Sequence, residues 1–131
     1  MSDFEEFKRL NARTSRHPTL TVTVRGTLNL NEAAFGLLGK PDAVVLLYAR
    51  AERIIALRPA GRDDPNAYLV SLLGKSGHSR TVVAREFSAW IEADLSAARR
   101  YPLELDDDGL GFARLNGPAV IVTGNRGPRT R

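Results

Sequence analysis

The sequence predicts an α+β fold that is mostly β: two duplicated strand-helix-hairpin halves closing into one small barrel-like core, with a helix at the N-terminus. Three observations carry this expectation. Leu20, Val22 and Val24 alternate with Thr21, Thr23 and Arg25, the period-2 signature of a strand with one buried face. Asn31 as N-cap and Gly39 as C′, with Pro41 just beyond, bracket a short helix from Glu32 to Leu38. The order of elements after residue 66 then repeats the order before it.

Taken along the chain, Ser2 to Asn11 reads as an amphipathic helix. Ser2 and Glu5 make a capping box, and Phe4, Phe7 and Leu10 recur at near-helical spacing. Residues 1–18 are thus a helical arm and linker, ending at Pro18. Residues 19–115 form the duplicated domain, with halves 19–59 and 67–115. In the first half, Gly26 breaks the opening strand, Leu28 and Leu30 resume the alternation, and a hairpin runs from Ala43 to Arg50 and from Ile54 to Arg58. In the second, Ala67 to Leu73 and Arg80 to Ala84 are strands, and Arg85 to Ala93 is a helix. Arg99 to Leu105 and Leu110 to Leu115 then pair around the turn Asp106-Asp107-Asp108-Gly109. Placing Thr27 on Thr81 also brings Glu32 onto Glu86. Residues 116–131 form a basic tail with one apolar patch, Ala119 to Val122, and are expected to be disordered beyond it.

Composition narrows the function classes. The 131 residues include no cysteine and two histidines, which leaves no disulfide framework, zinc-thiolate site or thiol nucleophile. No apolar run approaches the roughly 20 residues of a membrane span, and the acidic start is unlike a signal peptide, so a cytoplasmic protein without membrane contact is expected. The net charge of +4 is unevenly spread. Lys8, Arg9, Arg13, Arg16 and Arg25 fall in a stretch without any acid, as do Arg114, Arg126, Arg129 and Arg131 near the other end. Guanidinium groups suit bidentate contacts to phosphate.

Motifs of chemistry are weak by comparison. Gly74-Lys75-Ser76 resembles the end of a phosphate-binding loop, but Leu69 stands where that loop needs glycine. Ser76, His78 and Ser79 supply a nucleophile and a base with no orienting acid. The three aspartates before Gly109 lack the spaced ligands of a calcium loop and read as a hairpin turn. Phe87, Trp90 and Ile91 share a helical face and are expected in the core, as are Phe35, Leu37 and Leu38 in the first half. No pair of carboxylates stands out as acid and base, so no enzyme, cofactor or metal is expected.

The stretch from Arg25-Gly26-Thr27-Leu28-Asn29-Leu30-Asn31 through Leu37-Leu38-Gly39-Lys40, followed by the strands Val44 to Tyr48 and Ile54 to Pro59, resembles the AbrB/MazE/MraZ swapped-hairpin group. Gly26, Leu28, Leu30, Leu38 and Gly39 occupy the matching places. Thr27 stands where that group usually has a basic residue, and Asn31 where it usually has proline. The resemblance implies a DNA-binding protein carrying two copies of the unit in one chain. Arg25 and Arg80, at equivalent positions of the two copies, would present positive charge at two symmetric points on one surface.

The expected function is therefore binding of double-stranded DNA, as in a transcriptional regulator. Arg25, Arg80 and Arg85 would contact phosphates, aided by Arg13 and Arg16 of the arm and Arg126, Arg129 and Arg131 of the tail. The alternative is a protein-interaction module, antitoxin-like or scaffolding, in which the N-terminal helix with Phe4 and Phe7 docks on a protein partner or a second copy.

Overall fold

The threonine-leucine alternation forms β1 (Thr19–Val22), which returns as β2 (Leu28–Leu30) with Leu20 opposite Leu30 and Val22 opposite Leu28. The computed structural model describes residues 17–74 and 78–122. The expected N-terminal helix, Arg13 and Arg16 of the arm, Ser76, and the tail arginines Arg126, Arg129 and Arg131 lie outside the described residues. The β1–β2 turn closes through Gly26 at φ +85°, a backbone conformation that costs an L side chain roughly 1–2 kcal/mol. Thr23 and Thr27 share a hydroxyl contact of 2.7 Å across its base.

Asn31 caps α1 (Glu32–Leu37): its side-chain oxygen accepts from the Ala34 N–H at 2.9 Å and from the Thr19 N–H at 3.1 Å, so one amide both starts the helix and ties it to β1. Gly39, also at φ +85°, ends it. The apolar run that follows makes the long hairpin of β3 (Ala43–Ala49) and β4 (Ile54–Ala60). The second half supplies β5 (Ala67–Leu69), β6 (Ser71–Leu72), β7 (Arg80–Val82), α2 (Arg85–Trp90), β8 (Ala98–Pro102), β9 (Glu104–Leu105) and β10 (Gly111–Arg114). Val120–Val122 add β11, antiparallel to β8.

These strands make two open antiparallel sheets, not a barrel. The six-stranded sheet has the order β11-β8-β1-β2-β7-β6, and the five-stranded sheet β5-β3-β4-β10-β9. Closure needs an unbroken ladder around the circumference, whereas the edge strands β5, β6, β9 and β11 have only two or three residues each. Two strands expected to be continuous are each split between the sheets. Ala67 to Leu73 breaks at Val70, whose N–H donates to the Asp42 carbonyl, so β5 and β6 belong to different sheets. Arg99 to Leu105 breaks at Leu103, whose N–H donates to the Pro18 carbonyl, dividing β8 from β9. The two halves are consequently not equivalent: β3 lies wholly in the five-stranded sheet, while β8 lies in the six-stranded one.

One continuous core joins both sheets. Leu20, Leu28, Leu30 and Val82 from the first sheet meet Val44, Ile55, Leu57 and Ala113 from the second, with Ala34 and Leu38 near α1 and Phe87 and Ile91 near α2. Burying each larger aliphatic side chain contributes roughly 1.5–3 kcal/mol. At Gly111 a Cβ would lie 2.7 Å from a Leu38 methyl, so a side chain there forces Leu38 to move. No helix among the described residues is long and apolar enough to cross a membrane.

Candidate nucleic-acid interface

The register of β2 and β7 decides which arginines meet. The strands are antiparallel, with Leu28 opposite Val82 and Leu30 opposite Arg80. Continued past Leu28, the same register brings the β1–β2 turn to the start of α2, at the far end of β2 from Arg80. A Cβ on Gly26 would lie 3.4 Å from the Arg85 Cα and 3.5 Å from the Ser88 Cβ, so turn and helix are in close contact. Gly26 therefore adjoins Arg85, while Arg80 lies at the opposite end of β2 from the turn that carries Arg25. The Arg80 guanidinium instead lies over the Phe35 ring, 4.3 Å from its centroid, and donates to the Ser79 carbonyl.

A buried hydroxyl holds this junction. Ser88 is 1% exposed, and its Oγ donates to the Gly26 carbonyl at 2.8 Å. The acceptor sits in the tightest part of the turn that carries Arg25. Arg25 and Arg85 are both exposed. Among the described residues neither forms an ion pair, while Arg99 pairs with Asp94 and Arg114 with Glu104.

Helix α2 carries the interface further. At 100° per residue, Phe87, Ser88 and Ile91 fill one arc, and Arg85, Ala89, Glu86 and Trp90 follow one another around the other. Phe87, Ser88 and Ile91 are buried, whereas Trp90 is 60% exposed, contrary to the expectation that it packs in the core. The helix has only six residues, and the sheet beneath it is covered by Phe87 and Ile91 without the indole. Trp90 rests edgewise on Tyr48, with centroids 6.2 Å apart, and tilted against Phe87 at 6.1 Å. The Arg50 guanidinium lies 5.2 Å from the Trp90 centroid and 5.4 Å from that of Tyr48. The exposed arc of α2 thus runs from Arg85 at one edge to Trp90, with Arg50 over its ring, at the other. Beside the indole runs a groove of about 460 Å³ walled by Leu46, Tyr68, Phe87 and Trp90, with Asn66 and Glu86 among its lining residues.

Sequence reasoning named Arg25 and Arg85, placed Trp90 in the core and did not single out Arg50 or Ser88. Arg50 was signalled only by standing in a hairpin turn. The partner of Ser88 is 62 residues away, beyond any local pattern.

Other titratable groups are structural in kind. Asp94 accepts from the Ser96 N–H and hydroxyl and faces Arg99, and these contacts hold its carboxyl below the usual range, with the backbone bond first. Burial pushes the Tyr101 hydroxyl above its ordinary value of 10.0. Asp106 accepts from the N–H groups of Asp108 and Leu110, which makes the aspartate run the β9–β10 turn, with Gly109 at φ +86°. His78 lies 3.5 Å from Glu32, both exposed. Among the described residues no three His, Cys, Asp or Glu side chains are grouped to hold a metal. No protein-family model, curated protein or solved structure matches the chain.

Proposed function

We propose that the protein binds DNA through the face formed by the β1–β2 turn and α2, with Arg25 and Arg85 on phosphates and Arg50 adding to the positive field. The observation that carries this reading is the packing of Gly26, in the turn that carries Arg25, against Arg85 at the start of α2, with both arginines exposed and without an ion pair among the described residues. Two exposed cations carried on adjoining elements raise the local positive potential, which attracts a polyanion. The likeness of the Arg25 to Pro59 stretch to the AbrB/MazE/MraZ group supports the same reading, and a role in transcription regulation follows from it. Arg13, Arg16, Arg126, Arg129 and Arg131 add charge at the two ends of the chain. Arg80 is not part of this interface, since its guanidinium is engaged over Phe35.

The test is fluorescence anisotropy of a labelled duplex titrated with the full chain at several salt concentrations. Two phosphate contacts give a log–log slope of about −1.8, an affinity loss of about 12-fold between 50 and 200 mM salt. A flat salt response, or no binding at the lowest salt, refutes the proposal.

A further inference from the structure

We infer that a second site lies at one end of the space between the sheets, where a cleft lined by Arg53, Arg99 and Tyr101 takes the phosphate group of a small phosphorylated molecule. The cleft measures about 330 Å³, at the lower end of the roughly 300–1,000 Å³ typical of small-ligand sites. Val22 and Arg99 stand opposite each other on β1 and β8, Arg53 precedes β4, Asp94 follows α2 and Asn116 follows β10. Asp94 and Tyr101 thus serve the fold on one side and frame this cleft on the other.

Strand alternation puts Arg99 and Tyr101, two residues apart on β8, on the core-facing side of the sheet, where Tyr101 pairs with the buried Leu20. Tyr101 is only 7% exposed, yet its hydroxyl has no hydrogen-bond partner among the described residues. Burial raises that phenol, Arg99 lowers it, Asp94 raises it and Arg53 lowers it, so all three charges are felt at the hydroxyl. A neutral phenol donates its proton to an anionic oxygen. Arg99 is held in place by the carbonyls of Asp94 and Ala97 at 3.1 and 3.4 Å and by the Asp94 carboxylate at 3.3 Å. These contacts engage Nη1 twice and Nη2 once, and a guanidinium carries further N–H donors. The Asp94 carboxylate is also taken up by the Ser96 N–H and hydroxyl. The Arg53 guanidinium makes no ion pair or hydrogen bond among the described residues. Its backbone stands at φ +56°, a conformation that favours glycine, with the Leu115 N–H donating to its carbonyl at 2.8 Å.

Charge and direction select the occupant. Two guanidinium groups stand against one carboxylate, so the cleft is net positive. Donors arrive from β8, from the β3–β4 turn and, through the Asn116 amide, from the β10–β11 connection. Three directions suit a tetrahedral phosphate, which offers three acceptor oxygens, better than a planar carboxylate, which offers two.

The test is isothermal titration of the full chain with inorganic phosphate, and separately with acetate, at fixed ionic strength in chloride. The inference expects saturable binding of phosphate, tighter than that of acetate. Arg53→Gln and Tyr101→Phe should each weaken phosphate binding about tenfold or more. Arg100→Gln removes the same charge from the opposite, exposed face of β8 and should leave it unchanged. Duplex affinity should be the same in Tyr101→Phe as in the parent, which separates a small phosphorylated ligand from a backbone phosphate of DNA. No saturable heat with phosphate, acetate binding as tightly as phosphate, or a loss in Arg100→Gln equal to that in Arg53→Gln overturns the inference and leaves the DNA-binding face untouched. A parallel loss of phosphate and duplex binding in folded Tyr101→Phe overturns it as well, because the phosphate would then be that of DNA.

Discussion

Replacing Ser88 with alanine removes one hydroxyl and exposes the logic of the whole interface. The Ser88 Oγ is buried and donates to the Gly26 carbonyl at 2.8 Å, and Gly26 is itself buried. Ser88→Ala leaves that carbonyl without its donor in a site closed to solvent, a loss of about 1.5 kcal/mol. With an unfolding entropy of about 2.1 cal/mol/K per residue over 131 residues, the midpoint of thermal unfolding should fall by about 5 °C. The same change slackens the turn that carries Arg25, so duplex affinity should drop a few-fold even at temperatures where the variant is folded. Differential scanning calorimetry gives the first number and anisotropy the second. Ser71→Ala, at an exposed strand position, serves as the comparison and should shift the midpoint by less than about 1 °C. If Ser88→Ala melts with the parent protein, the hydrogen bond does not hold the turn to α2.

Two further outcomes follow from groups elsewhere in the fold. The Tyr48 hydroxyl oxygen is buried with no hydrogen-bond partner among the described residues, so Tyr48→Phe should leave stability unchanged or raise it by up to about 1 kcal/mol in denaturant unfolding. Burial raises the Tyr101 hydroxyl above 10.0, which means the folded state favours the neutral phenol. Its contribution is fully present below pH 10.0 and is lost as pH rises through the folded-state value. Tyr101→Phe should therefore show a shallower stability decline in that alkaline window.

Local chemistry was legible in the sequence wherever a single residue dictates the backbone. Asn31 caps α1 and Gly39 ends it, the leucine-threonine alternation becomes β1 and β2, and the aspartate run before Gly109 becomes a hairpin turn. What was not legible depends on partners far along the chain. The apolar run Ala67 to Leu73 carries no mark of the crossing at Val70, because that crossing is set by the Asp42 carbonyl on another strand. The same holds at Leu103 and Pro18. Helical spacing places Trp90 beside Phe87, but only the short length of α2 and the area beneath it leave the indole outside. The equivalence of Arg25 and Arg80 was inferred from matching order. Strand direction in the assembled sheet sets Gly26 against Arg85 and puts Arg80 at the other end of β2.

The most direct measurement is the salt slope of duplex binding in the Arg25→Ala/Arg85→Ala double variant, compared with the parent and with Arg58→Ala, an exposed arginine on β4. Each lost phosphate contact should make the log–log slope about 0.9 less negative, so the double variant should differ by about 1.8 while Arg58→Ala matches the parent. A double variant whose slope equals that of the parent, with both proteins folded, would mean that the Arg25 and Arg85 face does not touch DNA.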